Sequence, residues 1–205
     1  MFHDLGSALA GLGSPALAIV LFTVAVRLLL HPLYRAAVRG EKAKAKLAPE
    51  IRKLNKKYGK DLTKLTEETQ KVYKKNGVSM FAGILPMLAT IPFFMVMYRL
   101  VTTPNPLLDG QLFGFSLGIH FTNGYAWVFL VLFALLAVVA WLTVRWQKAQ
   151  QDPEAPPVPF AKFLRVMPFA TVLVAAWLPL AAGLYLLTTT TWTFAERAML
   201  YRILS

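Results

Sequence analysis

Residues 15–33 read PALAIVLFTVAVRLLLHPL, an apolar run in which Arg27 is the one Lys, Arg, Asp or Glu. About 20 helical residues cross the hydrocarbon core of a bilayer, and Ser14 followed by Pro15 is a favoured helix start. At about 1.5 Å per residue, Arg27 lies roughly 18 Å below the start of this helix, slightly beyond the membrane midplane. The stretch therefore predicts a transmembrane helix with a charge near its centre.

The whole chain separates apolar runs from basic ones. Of its 205 residues, 57% are hydrophobic, yet the formal net charge is +12. A soluble domain would have to leave this apolar excess exposed, so we infer an integral membrane protein. The chain has no cysteine, which excludes disulfides, thiol nucleophiles and a lipoprotein anchor. No basic region precedes the first apolar stretch, so we expect no cleaved signal peptide.

Apolar length and helix breakers divide the chain into five predicted spans. The stretch from Phe163 to Ile203 is too long for one upright helix, and Pro179 and Gly183 lie near its centre beside the interfacial marker Trp177, so we split it into a helical hairpin. The predicted segments are 15–34 (first span), 35–77 (cytoplasmic helical hairpin), 79–100 (second span), 101–124 (extracellular segment), 125–145 (third span), 146–162 (cytoplasmic loop), 163–178 (fourth span) and 181–200 (fifth span).

The basic residues predict the orientation. With five spans, every Lys and Arg except Arg27 and Arg99 falls on one side, while the other side carries Asp4 and Asp109. By the positive-inside rule the N-terminus is outside and the C-terminus inside. The predicted fold class is thus an all-α membrane protein of five spans with a cytoplasmic two-helix hairpin.

The basic segment 35–77 is predicted to be structured. Leu47, Ile51, Leu54 and Tyr58 recur on one helix face. After Gly59, Asp61 is placed to cap a second amphipathic helix that Gly77 ends. Two such helices joined by a short turn predict an antiparallel hairpin. The simpler interpretation is a surface that satisfies the topology rule and binds anionic lipid.

Arg27 is the main candidate for function. A charge at mid-bilayer depth costs at least about 2.5–3.5 kcal/mol, and no acidic residue lies within the predicted spans except Glu196 near the end of the last. We therefore predict a hydrated pocket that opens inward, suited to a negatively charged substrate from the cytoplasm. The alternative is that Arg27 extends to the inner surface, although Arg35 is about 12 Å further along the helix.

Other polar and helix-bending residues are weaker candidates. We predict that Thr23, Thr90, Thr188 and Thr191 line the groove, although a membrane threonine more often bonds its own backbone. Pro86 and Pro92 are predicted to kink the second span, with bundle packing as the equal alternative. The helix-end residue His31 is not assigned to a metal, because the other histidines, His3 and His120, fall on the opposite side.

No catalytic or cofactor motif is present in the sequence. It contains no GxSxG, HExxH or P-loop pattern and no paired carboxylate in a predicted span. We therefore predict no enzyme activity, no metal and no cofactor. The hairpin lysines lack interleaved stacking aromatics, so we expect no direct nucleic-acid reading.

Several motifs, in this order and spacing, resemble the YidC and mitochondrial oxidase-assembly family of insertases. They are RLLLHPL (27–33), LAPEIRKL (47–54), YGKD (58–61), YKKNGV (73–78) and LPMLATIPF (85–93). The resemblance covers about residues 15–203. It implies five transmembrane helices, a cytoplasmic helical hairpin, and a hydrophilic groove that is closed outside and carries an arginine at the position of Arg27.

The chain also departs from the family pattern. Thr90 stands where many members carry a glutamine, and we expect neither a large periplasmic domain nor a long basic C-terminal tail. This compact form resembles Gram-positive members, which implies a multi-pass protein of the bacterial plasma membrane.

The expected function is a membrane protein insertase and chaperone. The implied substrates are nascent membrane proteins with acidic outward tails, and the candidate partners are the Sec translocon, the signal recognition particle system, the ribosome and anionic lipid. Two alternatives stay open at this point: a small transporter or channel for anionic solutes, and a passive assembly chaperone.

Overall fold

A computed structural model describes residues 14–79, 85–150 and 166–204, which are mainly helical. The predictions for 1–13, for the start of the second span and for 151–165 lie outside the described residues. The helices are α1 (Pro15–Lys46), α2 (Ala48–Tyr58), α3 (Leu62–Lys75), α4 (Leu85–Thr102), α5 (Ala126–Gln150), α6 (Ala170–Trp177) and α7 (Leu180–Ile203). Two short strands, β1 (Gln111–Leu112) and β2 (Phe115–Ser116), form an antiparallel pair.

Helix α1 is longer than its apolar sequence. It begins where predicted, with Ser14 as the N-cap that accepts a hydrogen bond from the Leu17 amide. It does not end near Tyr34, where the apolar run stops, but continues through Pro32 to Lys46. Residues 35–46 are rich in Ala, Lys and Arg, which favour helix in water as well as in lipid. The end of the apolar run therefore marks the predicted end of the membrane span, and the helix itself continues beyond it.

Helices α2 and α3 pack against each other as a hairpin, and neither contains a fully buried residue. The predicted cap is confirmed, because the Lys64 amide donates to Asp61 Oδ1 at 3.0 Å. Gly77 follows α3 with a φ of +65°, a conformation that glycine adopts without steric cost. The hairpin is thus held by local signals that are readable in the sequence.

The stretch after residue 166 contains a break between two helices. Leu178 is extended, and Pro179 is the residue before α7. Since Pro179 has no side-chain cap to offer, the first amides of α7 bond elsewhere: Leu180 and Ala181 donate to the carbonyls of Ile119 and Leu117, each at 2.9 Å. The segment between α4 and α5 therefore covers the start of α7.

Pairs of contacts give the relative directions of the helices. Tyr34 meets Thr90 while Ile19 and Leu100 share one apolar cluster, so α1 and α4 are antiparallel. Leu132 packs on Gly183 and the Trp146 ring meets the Tyr201 ring, so α5 and α7 are parallel. Helices α1 and α7 are also parallel, because Arg27 bonds Thr189 and His31 meets Glu196.

An apolar cluster fills one end of this bundle. Its fully buried members come from α1, α4, the following segment and α7, and include Ile19, Leu100, Leu117 and Ala181, each 0% exposed. We call the bundle around these residues the closed half. The opposite end, near the α2–α3 hairpin, is the cavity half.

Two helices of the described chain, α1 and α5, are long and apolar enough to cross a membrane by length and composition. Shorter apolar helical segments cover Leu88–Thr102 and Met167–Trp177.

Candidate functional site: a cavity lined by Arg27

Arg27 lies inside the bundle, and among the described residues its guanidinium donates hydrogen bonds to neutral hydroxyls. The residue is 7% exposed. Its Nε donates to Thr189 Oγ1 at 3.0 Å, and Nη2 donates to the same oxygen. Its Nη1 donates to the Tyr34 hydroxyl at 2.9 Å, and the guanidinium lies 5.5 Å from the centre of that ring. Hydroxyls of α1 and α7 thus hold the side chain in place without neutralising it.

The positive charge of Arg27 has no counter-ion in the described part of the chain, where the residue forms no ion pair. Isolated charges that are removed from water are strongly destabilising unless they are paired or solvated. Two hydroxyls do not replace a carboxylate, so the arrangement leaves this guanidinium able to attract an anion.

Arg27 lines a cavity of about 550 Å³ between α1, α4 and α7. The polar side chains of its wall come from three helices and the start of a fourth, and they are Arg27, Tyr34, Glu41, Thr90, Thr171, Tyr185, Thr189, Thr190, Thr193 and Arg197. A smaller cavity of about 220 Å³ lies on the α5 side of α7 and shares Arg27, Thr189, Thr193 and Arg197 with the first. Both cavities thus lie between Arg27 and Arg197, and their walls are mainly apolar with these polar groups among them.

The structure brings some of the predicted groove residues together. Thr90 lines the cavity and lies 3.2 Å from the Tyr34 hydroxyl, while its Oγ1 donates to Pro86 O at 2.7 Å. Thr23 lies beside Arg27, where its Oγ1 donates to Ile19 O.

Two predicted threonines of α7 face elsewhere. The Thr188 hydroxyl donates to Leu184 O, and Thr191 is exposed. Neither lines a cavity that contains Arg27 in the described part of the chain. The run of four threonines covers every face of a helix, and the rotation that packing gives α7 directs Thr189 and Thr190 inward instead.

The missed residues have a signal in the sequence. Tyr185, Thr189, Thr193 and Arg197 recur at intervals of four, so they form one stripe along α7. All four line the cavity. Extending the threonine run in steps of four, from Thr189 through Thr193 to Arg197, would have selected this face.

The two predicted kink prolines have different positions. Pro86 is buried, lies in the first turn of α4 as described, and lines the cavity. Pro92 lies inside α4, where its ring removes one backbone hydrogen bond. Whether either residue bends the helix stays a prediction.

Further polar bridges join α1 and α7 beyond Arg27. His31 Nδ1 lies 2.5 Å from Oε1 of the buried Glu196, whose Oε2 accepts a hydrogen bond from Trp192 Nε1 at 3.1 Å. Arg197 Nη2 donates to Glu41 Oε2 at 2.6 Å. The prediction of His31 as a helix-end residue is wrong, because α1 continues to Lys46 and His31 lies inside it, facing Glu196.

The outer surface of the bundle is apolar beside the buried Arg27. Leu28 and Leu29, the neighbours of Arg27, are 57% and 68% exposed. Exposed apolar side chains continue on α5, with Trp127, Leu130 and Trp141 each more than half exposed. Apolar groups outside and a charge inside are typical of a helix bundle in lipid.

A larger cavity, of about 920 Å³, lies between the segment after α4 and the α6–α7 turn. Its titratable side chains are Asp109, His120 and Tyr125. None of the predicted site residues lines it, so the Arg27 cavity is the candidate site.

Residues 8–205 match the model of the family described as 60Kd inner membrane protein. The chain belongs to this family. Several proteins similar to this chain are named as insertases. Membrane protein insertase YidC of Cellvibrio japonicus is 29% identical over 191 residues, which cover 93% of this chain and 33% of the relative. Membrane protein insertase MisCA of Bacillus subtilis is 29% identical over 173 residues, covering 82% and 63%.

A third relative, membrane protein insertase YidC 1 of Streptococcus pyogenes serotype M6, is 37% identical over 112 residues, covering 53% of this chain and 41% of the relative. Among solved structures, an active YidC insertase with its first transmembrane domain resolved has a TM-score of 0.63 and 28% identity, covering 95% of this chain and 44% of that one. The chain spans a third to two thirds of the length of these relatives. The predicted resemblance to the YidC type is confirmed.

Proposed function

We propose that this protein is a membrane protein insertase that moves segments of nascent membrane proteins from the cytoplasm into the lipid bilayer. Its membership of a family with many named insertases supports the activity. The observation that carries the mechanism is the placement of Arg27, which is buried beside a cavity with hydroxyl partners while Leu28 and Leu29 face outward.

The proposed topology is five spans in the plasma membrane, with the N-terminus outside and the C-terminus inside. The distribution of Lys and Arg supports it. The helix directions support it too, because α1 and α7 are parallel and α4 is antiparallel to α1. The α2–α3 hairpin then stands in the cytoplasm.

The cavity around Arg27 is proposed to be water-filled and open toward the cytoplasm. Its wall carries hydroxyl and charged groups as far as Glu41 and Arg197, and a guanidinium without a counter-ion requires solvent. The closed half blocks the outward direction, since side chains such as Ile19 and Leu117 pack there without exposure. A groove of this shape admits a polar segment part of the way across the membrane.

In the proposed mechanism, Arg27 attracts the acidic outward tail of a single- or double-spanning substrate. Water and hydroxyls in the groove lower the cost of carrying polar backbone into the bilayer. The membrane potential assists by about 2.3 kcal/mol per charge per 100 mV. The apolar helix of the substrate then enters lipid past the exposed side chains of the bundle.

The hairpin and the cytoplasmic ends are the proposed contacts for other components. The Sec translocon, the signal recognition particle system and the ribosome are the candidate partners, with anionic lipid as a further one. The exposed basic surface of α2 and α3 supports this role.

Reconstituted vesicles test the proposal directly. The full chain is placed in proteoliposomes with a single-spanning substrate whose outward tail contains Asp and Glu, and protease protection measures insertion. Because hydrogen-bonded charge contacts contribute about 1.5–3 kcal/mol, Arg27→Ala should lower insertion about 10-fold or more. Arg27→Lys keeps the charge and should lose less.

A substrate with Asn and Gln in place of the acidic residues is the matched control. It should insert equally well with the parent protein and with Arg27→Ala, provided that both remain folded by thermal unfolding. Equal insertion of the acidic substrate by the parent and Arg27→Ala would remove the mechanism. Crosslinking to substrate without insertion would indicate a passive chaperone, and flux of small anions through empty vesicles would indicate a transporter.

Solvent access to the cavity can be measured separately. The chain has no cysteine, so Thr193→Cys supplies a single thiol in the proposed groove. A charged, membrane-impermeant thiol reagent should label it from the cytoplasmic side and not from the outside. Labelling from neither side would contradict the hydrated groove.

A further inference from the structure

Arg197 lies at the mouth of the groove and already holds a carboxylate. Its Nη2 donates to Glu41 Oε2 at 2.6 Å. Both residues line the 550 Å³ cavity, and Arg197 also lines the smaller cavity on the α5 side. Glu41 belongs to the part of α1 beyond its apolar run, so the contact exists because that helix continues to Lys46.

Arg197 continues the polar stripe of α7 that leads to Arg27. It follows Thr189, the partner of Arg27, by eight residues, which is about 12 Å along a helix. Thr193 lies between them and lines both cavities. A segment that enters the groove from the hairpin end therefore meets Arg197 before it meets Arg27.

The side chains of Arg27 and Arg197 have partners of different charge. Arg27 donates to neutral hydroxyls of Tyr34 and Thr189, whereas Arg197 is paired with a carboxylate. The side chains of Arg197 and Glu41 are 37% and 25% exposed. An ion pair of this exposure contributes little net stability, so another carboxylate can replace Glu41 at little cost.

Glu41 keeps a partner when it is displaced. Its Oε2 also accepts a hydrogen bond from the Tyr201 hydroxyl at 2.8 Å, and it lies among the solvent-accessible residues of the cavity mouth. Exchange of Glu41 for a substrate Asp or Glu at Arg197 leaves the number of charges and charge-assisted hydrogen bonds unchanged. The free-energy change of this exchange is therefore close to zero.

We propose that Arg197 is a second carboxylate-binding residue of the groove, which Glu41 occupies as an internal competitor until an acidic side chain of the substrate displaces it. The displaced contact selects substrates with acidic segments at the entrance, before they reach Arg27. This inference rests on the proposed insertase function.

Two variants of the same ion pair test the inference, because they must act in opposite directions. In proteoliposomes with the acidic-tail substrate, Glu41→Gln frees Arg197 and should raise the initial insertion rate about 2- to 5-fold. Arg197→Gln removes the binding group and should lower the rate by a similar factor. The double variant should behave like Arg197→Gln, since the competitor has no effect without its site.

A purely structural role predicts a different pattern. If the pair only fastens α1 to α7, both single variants break it and both should change insertion and thermal unfolding in the same direction. That result would overturn the inference. Arg197→Lys keeps a charge at the site and should retain the preference for the acidic tail, which tests the inference even if Arg197→Gln folds poorly.

Two further arms separate this inference from the proposed function. The substrate with the neutralised tail should respond to neither Glu41→Gln nor Arg197→Gln, and a response would contradict carboxylate binding at Arg197. If Arg27→Ala lowers insertion while both entrance variants act alike, only the inference fails. If Arg27→Ala has no effect on insertion, the proposed groove mechanism itself fails, whatever the variants of Glu41 and Arg197 do.

Discussion

The closed half and the cavity half of the bundle join the same two helices by opposite means. In the closed half, α1 meets α7 through Ala16, Ile19, Ala181 and Ala182, which share one buried apolar cluster. Small residues of this kind allow helices to approach closely in a membrane. No polar bridge is needed there.

In the cavity half, long polar side chains span the distance between the helices. Arg27 reaches Thr189, and Arg197 reaches Glu41. Two cavities lie beside them, and Arg27 and Arg197 belong to the walls of both. Helix α7 thus presents small apolar side chains to α1 at its start and hydroxyl and charged side chains beyond Tyr185, and the two cavities lined by Arg27 lie along this second part.

The largest expected effect is a core truncation in the closed half. Leu100 is 0% exposed, so Leu100→Ala should lower the free energy of unfolding by about 2–5 kcal/mol, because a cavity remains where the side chain packed. Thermal unfolding in detergent measures it. Leu29→Ala is the control, since Leu29 is 68% exposed, and an equal loss in both variants would contradict the assignment of a sealed half.

The next largest expected effect comes from enlarging one side chain in each half of the bundle. An added Cβ at Gly183 falls on Leu132 of α5, so Gly183→Ala should destabilise the fold by about 1–3 kcal/mol. Thr193→Met adds more volume in the cavity half and should leave stability nearly unchanged while it lowers insertion.

The control for this pair is a rescue. Leu132→Ala creates space beside Gly183, so the double variant should be more stable than the sum of the two single changes predicts. Simple additivity would show that Gly183 and Leu132 do not limit the helix separation.

The hydroxyl of Thr189 allows a matched comparison on a single helix turn. Thr189→Val keeps the shape and removes the acceptor of Arg27 Nε, which should cost about 1.5–3 kcal/mol as a hydrogen bond to a charged group. Thr188→Val removes only a bond to Leu184 O and should be close to neutral. Thermal unfolding and insertion assays both read the difference, and equal effects would contradict the assigned rotation of α7.

The smallest expected effect is on the stability of the fold at alkaline pH, and it involves Tyr201 beside Glu41. Burial raises the pKa of Tyr201, with the hydrogen bond to Glu41 as the next cause. A raised pKa in the folded state means that the associated stability is present below about pH 10, the ordinary tyrosine value, and is lost as the pH rises further. Tyr201→Phe should therefore flatten the fall in stability above about pH 10, and an unchanged slope would refute it.

Much of the fold could be predicted from local patterns. Ser14 and Pro15 mark the start of α1, Asp61 caps α3, and Pro179 lies where α6 and α7 separate. Each of these signals acts through backbone atoms within a few residues, so the local sequence is enough. The end of α1 could not be predicted in this way, because hydropathy reports the surroundings of a helix and not its length.

The site could be predicted only in part. Arg27 was identified because a charge in an apolar span is costly wherever it points. Its partners were not, since a run of four threonines offers a hydroxyl on every face and sequence spacing alone does not set the rotation of α7. The pairing of His31 with Glu196 was missed for the same reason, as 165 residues separate them.

The amino-acid sequence alone is thus enough to indicate an apolar helix with a charged residue inside it, a basic hairpin after it, and a resemblance to YidC-type proteins. These properties depend on composition and order along the chain. Only the packed helices show that Thr189 and Tyr34 contact Arg27 and that Arg197 pairs with Glu41. Those contacts join residues that are distant in sequence, and only the packing of whole helices sets which of their faces meet.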